Sequence, residues 1–151
     1  MSMSARKETV DLPSSVSTRF GECAVNPDEV LSFPVGIPGF ERCRRFVLLS
    51  SEEWAPLQCL QAVDGPPASF LVVEPRLVLA DYRCALSEAD RTRLQADAQS
   101  PVLWLALVTV TANELPSVNL KAPIVINPAR MLGYQVMPSD SAYPMRFPLE
   151  T

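Results

Sequence analysis

Histidine is absent from the chain. That removes the commonest general base, the usual non-cysteine zinc ligand and any Ser-His or Cys-His nucleophilic pair. Glycine is scarce, at 5 residues against 15 prolines, so there is no glycine-rich cofactor loop, and proline cuts the chain into short segments. A bundle of long helices is thereby excluded. The four cysteines, Cys23, Cys43, Cys59 and Cys84, stand far apart without a C-x-x-C pair. Reduced, mostly buried thiols are expected, with no metal and no cofactor. No apolar run is long enough to span a bilayer. The opening "MSMSARKETVDLPSSVS" has two basic residues but no apolar run behind them, unlike a signal peptide. A cytoplasmic protein without membrane contact is expected. The formal net charge of −4 offers no basic footprint for phosphate backbones, so direct nucleic-acid binding is disfavoured and a basic protein partner suits the surface better.

What is present is apolar sequence in short pieces. With 151 residues and 48% hydrophobic content, the chain is expected to form one domain over residues 18–151, preceded by a disordered polar arm at 1–17. "TRFGECAV" and "EVLSF", joined at Asn26-Pro27-Asp28, read as a hairpin. In "FPVGIPGFE" the pair Pro38-Gly39 fits the centre of a type II turn, which would fold Phe40 into the core and leave Glu41 in water. "RFVLLS" reads as a strand, and "LQCLQAV" and "SFLVVEP" as a hairpin about the Asp64-Gly65-Pro66-Pro67 turn. Residues 70–73 and the run "VLWLALVTV" are apolar without alternation and predict strands covered on both faces. A single short helix is expected at about 87–98, with Ser87 as its N-cap and Glu88 and Asp90 in its first turn. The pattern predicts a mainly β fold, a small closed or partly closed β-barrel.

"NLKAPIVIN", residues 119–127, alternates like a strand yet carries a proline at its centre. Leu120, Ala122, Ile124 and Ile126 form the expected inward row, with Asn119 and Lys121 facing out. A proline there fits a corner or an edge where the sheet cannot be extended. Part of the segment's polar backbone is then expected to be open to a partner.

Taken in order, "FPVGIPGFE", "LQAV", "FLVVEP", "DYRCAL", "NLKAPIVIN" and "YPMRF" resemble the flagellar assembly factor FliW family from about Arg19 to Leu149. The resemblance implies a small β-barrel-like fold without catalysis and two protein partners, flagellin and the RNA-binding translational regulator CsrA. It further implies a switch: binding relieves CsrA's repression of flagellin translation until free flagellin takes the factor away. The protein itself is expected to be a monomer.

Five residues are candidates for partner binding. Asn119, Lys121 and Pro123 share the interrupted strand, although asparagine also commonly satisfies turn backbone. Glu74, at a sheet rim before Pro75, either meets a basic partner residue or is simply solvated. Tyr82, between Asp81 and Arg83, is either an interfacial aromatic or a core tyrosine with its hydroxyl bonded. The competing reading of the whole chain is a barrel that binds a small ligand or a nucleic acid, which would need a basic, aromatic-lined groove.

Overall fold

The computed structural model describes residues 12–138 and 141–149. Its strands are β1 (Ser15–Thr18), β2 (Gly21–Ala24), β3 (Leu31–Ser32), β4 (Arg45–Ser50), β5 (Gln58–Ala62), β6 (Ser69–Val73), β7 (Leu103–Thr109), β8 (Ser117–Val118), β9 (Ile124–Asn127), β10 (Leu132–Gln135) and β11 (Phe147–Pro148). Among the described residues there are two α-helices, α1 (Pro75–Val78) and α2 (Glu88–Leu94), and one 3-10 turn (Pro27–Glu29). Strands β3 to β7 follow one another antiparallel, β7 pairs with β9, and β9 with β10. A parallel bridge from Leu132 to Ser32 closes β10 onto β3. The result is the expected closed barrel, and closure leaves these strands no free edge.

Period-two alternation sends one side-chain row into the barrel. Phe33, Phe46, Leu60, Val72, Leu105 and Ile124 meet there with no exposed surface. Phe33 and Phe46 stack edge to face at 4.9 Å. The barrel interior is thus filled by side chains. The outer row is buried in its turn by three covers. The β1–β2 hairpin packs on Val47 and Val63, α2 packs over Val125 and Tyr134, and α1 with the C-terminal segment lies over Leu71, Val73, Ala106 and Val108. That double cover explains why β6 and much of β7 are apolar without alternation.

Several local expectations are met. Pro38-Gly39 makes the type II turn, with the Phe40 N–H donating to Ile37 O at 2.6 Å and Gly39 at φ 89°. The β5–β6 hairpin turns at Asp64, whose carboxylate accepts the N–H groups of Arg44 and Arg45 and pairs with the Arg45 guanidinium at 3.0 Å. Phe40, however, is 43% exposed and only lays its ring against Phe70.

Other expectations are corrected. The first hairpin joins β1 to β2 rather than residues on either side of Pro27, because the Thr18 hydroxyl accepts the Phe20 N–H and Gly21 takes φ 99° in the turn. This hairpin straddles the boundary drawn at residue 17; residues 1–11 of the arm lie outside the described residues. α2 starts from the Ser87 cap as expected but ends at Leu94, not near 98. Gln95 adopts the left-handed conformation at φ 55°, and the Ala96 N–H returns to Arg91 O, which closes the helix.

The proline in "NLKAPIVIN" marks a fork. β8 and β9 lie along the same edge of β7, with Val118 facing Val108 and Ile124 facing Leu105. Residues 119–123 therefore face only Ala106 and Leu107 of β7, and the surplus chain bulges out as a corner. On one side of the corner the sheet closes into the barrel; on the other it continues as β7–β8–β11.

Candidate functional site

β6 ends at Val73, and Glu74 begins the turn into α1 because Pro75 fits the first helical position, where no N–H is needed. The Glu74 side chain is exposed and makes no ion pair among the described residues. It stands on the rim of a cleft of about 250 Å³ lined by Glu74, Pro75, Arg76, Tyr82, Cys84 and the first residues of β7, Leu103 and Trp104 among them. Pro75 and Tyr82 are buried, while Trp104 is half-buried. The cleft thus offers a carboxylate, a guanidinium and an indole beside the buried Pro75 and Tyr82. It can hold a cationic side chain against Glu74 beside the Trp104 ring.

Tyr82 is the core tyrosine of the two alternatives, 3% exposed. Its hydroxyl donates to Leu120 O at 2.9 Å, and its ring lies 4.5 Å from that of Tyr143. The Tyr143 hydroxyl in turn accepts the Arg83 N–H at 2.8 Å, while the Leu120 N–H donates to Pro144 O at 3.1 Å. Three segments remote in sequence are clasped together this way. Burial, followed by the neighbouring Cys84 and Tyr143, pushes the Tyr82 phenol well above its ordinary range, so its hydroxyl stays protonated as the donor the Leu120 carbonyl needs.

The corner itself differs from the strand that the alternation predicts. The Asn119 side chain turns inward along the chain, its Oδ1 accepting the N–H groups of Lys121 at 3.0 Å and Ala122 at 3.1 Å. Ala122 O accepts from the Gln135 amide at 2.9 Å, and Pro123 O accepts the Val136 N–H at 2.9 Å. Most of the backbone expected to be open to a partner is thus satisfied within the fold. Pro123 is buried and only Lys121 presents its side chain to water. Asn127, also buried, donates through Nδ2 to Leu94 O at 2.8 Å and Gln95 O at 3.3 Å, while its Oδ1 accepts the Ala129 N–H. It ties the end of α2 to the β9–β10 turn.

Of the five candidates, the cleft brings Glu74 and Tyr82 together, and the Leu120 carbonyl connects Tyr82 to the corner that carries Lys121. Asn119 and Pro123 shape that corner. Sequence reasoning missed Trp104 and Tyr143. Trp104 is hidden in an apolar run, where an indole reads as core. Tyr143 lies in "YPMRF", and its position before Pro144 was the available signal for a fixed aromatic.

The family model described as FliW protein matches residues 15–149. A flagellar assembly factor FliW from Natranaerobius thermophilus is 36% identical over 135 residues, covering 88% of this chain and 89% of its own. One from Geobacter sulfurreducens is 35% identical over 133 residues, covering 87% and 83% respectively. A crystal structure of the flagellar assembly factor FliW superposes with a TM-score of 0.82 at 31% identity, covering 91% of this chain and 97% of that one.

Proposed function

The chain belongs to the FliW family, and from that premise we propose that this flagellar assembly factor works without catalysis, by binding flagellin and the translational regulator CsrA in competition. Bound to CsrA, it relieves repression of flagellin translation; when free flagellin accumulates, flagellin takes it away and repression returns. The observation that carries this reading is the extent of the family match, from residue 15 to residue 149, which takes in the whole barrel and all three outer covers. The net charge of −4 and the exposed Glu74 at the cleft suit a basic, RNA-binding partner. The protein acts in the cytoplasm, alone as a monomer, and reaches RNA only through CsrA.

The test is calorimetric titration of the purified protein with CsrA and with flagellin, then of the CsrA complex with flagellin. Binding to both partners with displacement of CsrA is the expected result. Binding to neither would overturn the reading. A mobility shift of flagellin leader RNA by this protein alone, with a steep salt dependence, would overturn the indirect route to RNA.

A further inference from the structure

The three segments clasped around Tyr82 share a second property, their charge. Arg83 follows Tyr82, Lys121 follows Leu120, and Arg146 lies two residues beyond Pro144. The clasp bonds themselves are made by Tyr82, Leu120, Tyr143, Pro144 and the Arg83 N–H. All three cations are exposed, and none is in an ion pair among the described residues. Across the described parts of these segments, 79–86, 119–123 and 141–149, the one carboxylate is Asp81. A chain of net charge −4 therefore gathers unpaired positive charge where three distant pieces of sequence meet. Beside them Met145 is 61% exposed, although it lies between Pro144, bonded to the corner, and Arg146.

We infer that this face docks an acidic segment of a protein partner, its carboxylates met by Arg83, Lys121 and Arg146 and one of its apolar side chains by Met145. Tyr82 and Cys84, which flank Arg83, also line the Glu74 cleft, so the three cations border that cleft rather than fill it. A carboxylate-bearing segment fits better than RNA for two reasons. Three cations neutralise too few phosphates to hold RNA against an acidic protein. Guanidinium groups also engage carboxylates bidentately, and exposed methionine suits an apolar side chain. The clasp holds all three backbones in place, which lowers the ordering cost of binding.

The experiment uses the full chain and a short fluorescein-labelled peptide of glutamates broken by leucines, read by fluorescence anisotropy. Its companions are the same peptide with lysine for glutamate and a single-stranded RNA of similar length. The test variant combines Arg83→Glu, Lys121→Glu and Arg146→Glu. A charge-matched control combines Arg19→Glu, Arg42→Glu and Arg130→Glu, also exposed positions. The milder pair Lys121→Gln with Arg146→Gln serves if the triple variant melts early. The expected result is acidic-peptide binding that weakens with salt, falls by roughly tenfold or more in the test variant, falls partially in the milder pair, and survives in the control. Absence of binding to the unmodified protein, an equal loss in the control, or preferential capture of RNA would each overturn the inference.

Discussion

The Tyr82 hydroxyl donates to the carbonyl of Leu120 across 2.9 Å, with both residues buried. This bond fastens the corner between β8 and β9 to the chain that leaves α1, so the geometry of the fork and that of the cleft are set together. Tyr82→Phe keeps the ring on Tyr143 but leaves the Leu120 carbonyl without its donor. The expected cost is about 1–2 kcal/mol, measurable as a lower urea midpoint with an unchanged slope. A variant as stable as the parent would show that the bond contributes nothing net.

The same phenol gives stability a pH dependence at the alkaline end. Its folded pKa is raised well above the ordinary phenol value, chiefly by burial, so the folded protein keeps a proton that the unfolded chain releases. The contribution is complete below the unfolded value and is lost as pH rises towards the folded one. Urea midpoints of the parent and of Tyr82→Phe should therefore differ steadily up to about pH 10 and converge above it. A gap that is constant through that range would assign the alkaline loss to other groups.

The two asparagines of "NLKAPIVIN" are expected to differ in weight. Asn127→Ala removes a buried amide that holds the end of α2 and the β9–β10 turn, at about 2–3 kcal/mol. Asn119→Ala frees two N–H groups at a half-buried corner, at about 1 kcal/mol. Lys121→Glu, exposed, should stay within about 0.5 kcal/mol. Thermal melts of the three variants give the ranking, and an Asn119 variant as tolerant as the Lys121 one would return Asn119 to the surface.

How far the sequence could be read follows from what each pattern encodes. The barrel was legible because proline spacing, the Pro38-Gly39 turn and the apolar runs are local signals that agree with one another. The corner at 119–123 was not, since alternation is the same whether a strand continues or forks, and only pairing with β7 reveals the surplus residues. Glu74 could be placed at a sheet rim from the apolar run before it and Pro75 after it. Tyr82 could be narrowed to two states, but its donor role depends on Leu120, a bond spanning 38 positions that nothing nearby in sequence announces. Helix α1 escaped notice because four residues give no periodicity.

Gly133 illustrates packing that leaves no room for a side chain. A Cβ there would overlap the ring of Phe33, which is itself fully buried in the barrel. Gly133→Ala should cost about 1–3 kcal/mol by overpacking. Combining it with Phe33→Leu should recover part of that loss, so a double-mutant cycle is expected to show coupling between the two sites. Strict additivity would mean that the barrel relaxes elsewhere.

Glu74 makes the sharpest distinction between a solvated rim and a partner surface. Its carboxylate is exposed and makes no ion pair among the described residues, and replacing it should shift stability by no more than about 0.5 kcal/mol. In the cleft it is the one carboxylate among the lining residues, which also include Arg76 and Trp104. A partner cation placed there is partly shielded from water, which makes its pairing worth more than that of a fully exposed ion pair. Glu74→Gln should then weaken binding to a basic partner, and Glu74→Lys should weaken it further, by roughly tenfold or more, because repulsion replaces attraction. The measurement is calorimetric titration of each variant with CsrA and with flagellin, alongside thermal melting. A loss confined to CsrA, largest at low salt, assigns the cleft to the basic partner. A loss confined to flagellin moves the cleft to the other side of the proposed switch. Unchanged affinity for both, with unchanged melting, leaves Glu74 as a solvated residue and removes the cleft from the interface.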